Sequence, residues 1–143
     1  VPRLVMERYE QVRAYEPILE GAPVTTYHML RIDCKRLRYA LEFFAPLLGA
    51  GAPALIKQVT GMQDLLGAMQ DAHVAEGLIA EFLAGPGKRK KKASPPPPMP
   101  GVEAYHLAQQ QQQADLLAAF PAPWKSLTGL AFRRSLGLAL ATP

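Results

Sequence analysis

The sequence offers little from which a disulfide-stapled module or a membrane-spanning protein could be built. Cys34 is the one cysteine among 143 residues, so no internal disulfide can form, and we expect a reducing, cytoplasmic location. No apolar run approaches the roughly 20 residues that a membrane-spanning helix needs, so we expect no membrane partner. Strand-like alternation of useful length and a glycine-rich phosphate loop are also missing. The chain begins with Val1 rather than Met, so we expect a piece of a longer product.

Composition places the chain among globular domains. Apolar residues make up 49% of it, which excludes a wholly disordered chain. Sixteen lysines and arginines against 12 acidic residues leave a net charge of +4. This surplus is mild, so the distribution of the basic residues matters more than their total. The length is that of one domain, and we treat residues 1–143 as a single unit.

Helical periodicity predicts an all-α fold. Apolar residues three and four apart mark a buried seam in the central helix, and Gly and Pro mark the breaks between helices. Thr25 or Thr26 should cap the second helix, and Pro46 should kink or shorten its end. Gly67 should loosen the third helix, and Asp71 should cap a fourth. The predicted helices cover Arg3 to Glu20, Thr26 to about Leu48, a stretch from Leu55 to Met69, Ala72 to Leu83, Val102 to Phe120, and Trp124 to Leu140.

Residues 85–100 differ from the rest of the chain. The basic run Lys88–Lys92 is followed by the proline run Pro95–Pro98, which predicts a flexible basic loop with a polyproline tail. The run is either a solvated loop or a nonspecific contact for a polyanion. Short turns join the other helices, so we predict an antiparallel bundle of about five to six helices.

The second predicted helix carries a stripe of positive charge beside its packing face. Like charges three to four residues apart disfavour a helix, and a polyanion laid along them would offset that cost. A stripe about 100° wide, which we call the basic stripe, is formed by His28, Arg31, Lys35, Arg38, Tyr39 and Glu42. The separate packing face is formed by Leu30, Cys34, Leu37, Leu41 and Phe44.

Two blocks of this sequence resemble the CHAD family. The pattern His-x-x-Arg-x-x-x-Lys-Arg-Leu-Arg-Tyr-x-x-Glu, filled here by residues 28–42, is similar to the signature helix of that family. The block Gln63-Asp64-x-Leu66-Gly67, followed by Asp71, resembles the segment that comes after the signature helix. The blocks stand in the expected order and cover about residues 25–83. The resemblance implies an all-helical fold.

The resemblance also implies a function. CHAD proteins bind inorganic polyphosphate through basic residues along their helices, and they often accompany polyphosphate granules or are fused to a triphosphate-processing tunnel enzyme. A complete CHAD domain has two pseudo-repeated halves, each with a histidine-arginine helix, and this sequence shows one such helix. It therefore resembles the C-terminal half. We expect either a missing N-terminal half or a homodimer of two copies to complete the binding surface.

We expect a non-catalytic binding site with no metal and no cofactor. Arginine suits phosphate because its planar fork holds two oxygens, whereas lysine supplies a mobile point charge. A protonated His28 would donate to phosphate, and Glu42 would hold Arg38 one turn earlier. The predicted polyphosphate-binding residues are His28, Arg31, Lys35, Arg36, Arg38, Tyr39 and Lys57.

Several other interpretations fit the same residues. The stripe could be a solvated helix face, paired locally with Asp33 or Glu42. A helical nucleic-acid-binding protein would also carry basic helices, although we expect a groove without exposed aromatic platforms for bases. A metal-dependent phosphohydrolase would use His28 with nearby carboxylates. A plain interaction module would associate through its apolar helix faces.

Overall fold

The computed structural model describes residues 1–85 and 100–141, and within these the chain forms helices without strands. The all-α prediction is confirmed. The predicted loop over 85–100, including Lys88–Lys92, lies outside the described residues apart from its two ends. The helices are α1 Pro2–Arg13, α2 Val24–Phe43, α3 Ala45–Leu48, α4 Ala52–Ala84, α5 Pro100–Ala119, α6 Pro121–Thr128 and α7 Leu130–Ala141.

The first helix is shorter than the periodicity predicts. It buries Val5, Tyr9 and Val12 on one face and ends at Arg13, after which the chain continues into a 3₁₀ turn over Glu16–Ile18. That turn contains Pro17, which has no N–H to donate and disfavours α geometry in the residue before it. The predicted helix over 3–20 therefore stops one turn before this proline.

The predicted packing face of α2 is confirmed, but its predicted cap is wrong. Four of its five members are buried and Phe44 is half-buried. The helix begins at Val24 directly after Pro23, without a side-chain cap, and Thr25 and Thr26 lie inside its first turn. The predicted break near Pro46 is confirmed, because α2 ends at Phe43 and the chain bends by 70° into the α3–α4 segment.

The central helix α4 is a single helix of 33 residues rather than two. No proline lies in it beyond its first turn, so nothing interrupts its hydrogen-bond ladder, and Asp71 lies inside the helix instead of capping a new one. Gly67 does not break it either. The predicted seam is buried through Leu55, Val59, Met62 and Leu66, and Met69 is half-buried.

The C-terminal helices close the core against α1 and α2. The Tyr9 hydroxyl donates a 2.9 Å hydrogen bond to the Leu127 carbonyl, and its ring lies 5.2 Å from that of Phe132. Trp124 is buried, and its indole N–H donates to the Glu16 carboxylate. Antiparallel to α4, helix α5 is tied to it by His106 and the Glu76 carboxylate, 2.9 Å apart.

Among the described helices, none is by itself both long enough and apolar enough to cross a membrane, and only the bent pair Val24–Phe43 with Ala45–Ala84 passes that test when counted together.

Because Cys34 is buried in α2, we predict that the protein becomes less stable as the pH rises into the alkaline range. Burial, with a smaller contribution from the Asp33 carboxylate, raises the pKa of this thiol from 9.0 to about 12. The folded protein therefore binds more protons than the unfolded chain between these values, so the free energy of unfolding should fall as pH rises through that range. Urea unfolding measured from about pH 8 to about pH 9 checks this, since tyrosines, with an ordinary pKa of 10.0, titrate above that interval.

In the Cys34→Ala variant the fall over this interval should flatten. Val59→Ala is the control, because it opens a comparable space in the core and leaves the thiol in place, so its slope should match the wild type. An unchanged slope in Cys34→Ala would contradict the assignment.

Candidate functional site

The basic stripe lies along the flank of α2 that faces α4. Burial differs along the stripe: Arg31 and Arg38 are half-buried, whereas His28 and Lys35 are exposed. Arg31, Lys35 and Arg38 each follow a buried residue of the packing face, so the packing of α2 in the core places all three beside it. Of these three cations, Lys35 extends furthest into solvent.

Arg31 lies against the backbone of α4 at Gly67. The position that a Cβ of Gly67 would occupy lies 3.5 Å from Nε, 3.6 Å from Nη2 and 3.8 Å from Cζ of Arg31. The Nε atom is buried and has no hydrogen-bond partner within the described part of the chain. A buried donor without an acceptor is unfavourable in the free protein.

Arg38 is held in a similar state two turns further along α2. Its side chain is 24% exposed, and its Nε is buried without a hydrogen bond to any described residue. The nearest Glu42 carboxylate oxygen lies 3.8 Å from that nitrogen, so the predicted pair exists as a charge contact longer than a hydrogen bond.

Two of the cations contact the ring of Tyr39. Arg38 Cζ lies 5.0 Å and Lys35 Nζ 5.6 Å from the centre of its ring, both over the ring. However, Tyr39 is 50% exposed and Phe43, one turn later, is 78% exposed. The expectation of a site without exposed aromatic residues is therefore wrong.

Arg36 points away from the other cations. It forms a 3.2 Å ion pair with Asp33, whose second oxygen accepts a 2.6 Å hydrogen bond from the Tyr15 hydroxyl. Burial first, and then the bond to Asp33, raises the pKa of Tyr15 to about 12, so the hydroxyl keeps its proton and donates. Arg36 is thus held by Asp33 off the centre of the stripe, as a flanking residue would be. Lys57 is exposed on α4.

Two residues of α4, Gln63 and Gly67, lie at this site although neither was among the predicted binding residues. Gln63 lies one turn before Gly67 on the same face of α4, and its Oε1 is buried without a hydrogen bond to described residues. In the sequence, the four-residue spacing of Gln63 and Gly67 indicates that the two residues share one face of a helix. We call the boundary formed by Arg31, Arg38, Gln63 and Gly67 the α2–α4 edge.

Acidic and metal-binding groups are not gathered at this edge. Asp64 and Asp71 are exposed on α4, and His73 and His106 lie further along α4 and on α5. Over residues 1–85 and 100–141, no three His, Cys, Asp or Glu side chains come close enough together to hold a metal ion. The chemistry available at the edge is that of cations and uncharged hydrogen-bonding groups.

Comparison with known proteins gives one family. The model of the CHAD domain matches residues 1–80, more than half of the 143 residues, including α1, α2 and nearly all of α4. No curated protein and no solved structure matches the chain.

The buried Nε of Arg31, which has no hydrogen-bond partner among the described residues, predicts that the free protein is less stable than it could be. Arg31→Met keeps the apolar stem and removes the buried donor, so the free energy of unfolding should rise by about 1 kcal/mol. Urea unfolding without any polyanion measures this. Lys35→Met is the control, because Lys35 is exposed, and should change stability by no more than about 0.5 kcal/mol. A clear loss of stability in Arg31→Met would show that the guanidinium supports the fold.

Proposed function

Because this chain belongs to the CHAD family, we propose that it binds inorganic polyphosphate along α2. CHAD domains are linked to polyphosphate and generally serve as binding modules rather than catalysts. The observation that carries the proposal is the pair of half-buried arginines at the α2–α4 edge, each with a buried Nε that lacks a hydrogen bond among the described residues. Holding these arginines in this way is unfavourable in the free protein, and both side chains are only half-buried, so a phosphate that contacts the exposed part of each guanidinium would offset that cost.

A polymer suits this arrangement better than a single phosphate. Arg31 and Arg38 are seven residues apart, so they are separated by about 10 Å along the helix axis. A linear chain of phosphates spans that distance and can contact the two arginines in turn, with exposed Lys35 and His28 adding contacts between and before them. The polymer gives up condensed counterions as it binds, and this gain of entropy drives association.

We propose binding without hydrolysis. The α2–α4 edge brings together cations and an amide rather than convergent carboxylates, and the described residues provide no three-ligand metal group. A phosphohydrolase of the metal-dependent kind needs such a group to activate water. We place the protein in the cytoplasm, in association with polyphosphate granules.

Nucleic acid is a second candidate ligand, and one observation favours it. The exposed rings of Tyr39 and Phe43 lie next to the cations, and exposed aromatic rings beside basic residues stack with bases in single-stranded nucleic acid. Against this, two cations lie over the Tyr39 ring and compete with a base for its face. Polyphosphate, which has no bases, needs neither ring.

We further propose that two copies associate, or that an N-terminal half covers the same surface. The side of α2 away from the core carries residues at alternating spacings of three and four: Met29, Ile32, Arg36, Tyr39 and Phe43. This is the spacing of a helix-pairing seam. Three of them, Met29, Tyr39 and Phe43, are large hydrophobic residues with at least half of their surface exposed. The seam borders the basic stripe, so a partner there would place a second stripe near the first.

Binding to long-chain polyphosphate should be tight and sensitive to salt. If three to five phosphates are neutralised, the slope of log affinity against log salt should be about −2 to −4, taking roughly −0.7 per contact. Fluorescence titration across a salt series measures this, and phosphate release is followed in the same samples. A slope near zero would contradict the electrostatic mechanism, and release in proportion to protein would contradict binding without turnover.

Substitutions at the edge should locate this binding. Arg31→Ala with Arg38→Ala should remove most of the affinity and keep the helical circular dichroism. Deletion of Lys88–Lys92 is the comparison, and should weaken binding less, because the half-buried arginines of α2 lose less side-chain entropy on contact than exposed lysines do. An equal or larger loss from the deletion would assign binding to the run Lys88–Lys92.

The exposed seam on α2 predicts association in solution. Light scattering at micromolar concentration should give twice the mass of one chain, since apolar area of this kind drives pairing. Phe43→Asp should restore the single-chain mass, whereas Leu138→Asp, a charge placed at an exposed position of α7, should not. A clean monomer that binds polyphosphate as strongly as a two-half CHAD protein would show that one basic stripe is sufficient.

A further inference from the structure

We infer that Gly67 is a positioning residue for Arg31, which it holds ready for the ligand; this inference rests on the proposed binding of polyphosphate. In this inference Arg31, and not Gly67, contacts the phosphate. Its role comes from the side chain it lacks, because the space beside its Cα is filled by the guanidinium of another helix.

The distances give the orientation of Arg31. Of the guanidinium atoms, Nε and Nη2 lie nearest the position of a Gly67 Cβ, at 3.5 and 3.6 Å, and Cζ follows at 3.8 Å. The edge formed by Nε and Nη2 is therefore turned toward α4, and Nη1 is turned away from it. Nε is buried at this contact. The arginine thus lies in a notch of α4, with the far side of its guanidinium directed outward.

The other glycines of α4 do not share this property. A Cβ added at Gly61 or at Gly77 would meet nothing within 4 Å. All three glycines lie inside one continuous helix, where glycine is less favourable than almost any other residue. Of the three, only Gly67 has a contact that explains why glycine stands there: the guanidinium of Arg31 lies beside its Cα.

An arginine that is already held in place loses less conformational entropy on binding. A long side chain that moves freely in solvent loses conformational entropy when it is ordered on a ligand, and a side chain already held in place loses less. The notch therefore raises affinity without adding any charge. A larger residue at position 67 would move Arg31 outward rather than disrupt the fold, because the atoms it meets are the end of a flexible side chain.

Substitution by leucine tests this directly. Gly67→Leu should weaken polyphosphate binding about two- to tenfold, the range expected when one more long side chain must be ordered on binding. The dependence of affinity on salt should stay as in the wild type, because the charge is retained. Arg31→Ala should instead lower affinity and also flatten the salt slope by about 0.7. Gly61→Leu is the matched control and should bind as the wild type does.

A double-mutant cycle separates positioning from a structural role. In the Arg31→Ala background, Gly67→Leu should cost no further affinity, since no arginine remains to be held. If Gly67→Leu does not fold, Gly67→Met, with an unbranched and more adaptable side chain, takes its place with the same expectation. Gly67→Ala should bind normally, because its Cβ would make only ordinary van der Waals contact with Arg31.

The outcomes distinguish this inference from the function on which it rests. A wild-type protein that does not bind polyphosphate would overturn both. Wild-type binding that survives in Gly67→Leu, or a loss that persists in the Arg31→Ala background, would overturn the positioning role and leave the proposed function standing.

Discussion

The packing of α2 against α4 is the contact on which the rest of this molecule depends. Leu30, Leu37 and Leu41 of α2 are buried in one core with Val59 and Leu66 of α4, and these side chains set the distance between the two helices. That distance decides where the arginines of α2 can lie, since they flank the buried face. The packing of two helices therefore determines where the arginines of the candidate site lie.

The arginines of α2 differ in how well their polar atoms are satisfied. Arg31 and Arg38 each bury an Nε without a hydrogen bond among the described residues, and Glu42 approaches the Arg38 Nε no closer than 3.8 Å. Arg36, on the other side of the same helix, forms a 3.2 Å ion pair with Asp33. A fold optimised for stability alone would give the buried Nε atoms acceptors or replace the arginines.

Much of this arrangement follows from sequence. The apolar spacing of α2 correctly predicted its buried face, because helical geometry alone decides which residues share a side. The length of α4 was not predicted, because a capping residue such as Asp71 is equally compatible with a helix interior when no proline follows. The role of Gly67 was also missed. Its significance depends on a side chain 36 positions earlier, and no local pattern reports such a contact. The exposure of Tyr39 and Phe43 could have been inferred from their position opposite the packing face.

The central claim is that the α2–α4 edge recognises a chain of phosphates rather than a nucleic acid. Competition measures this most directly: fluorescent polyphosphate is bound to the protein at fixed salt and displaced by unlabelled polyphosphate or by single-stranded RNA with the same number of phosphates. We predict that RNA displaces the label only at a much higher phosphate concentration, because Lys35 and Arg38 compete with a base for the face of Tyr39, and because the ribose units of RNA separate its phosphates so that fewer of them reach the basic stripe. Equal displacement by the two polymers would contradict it.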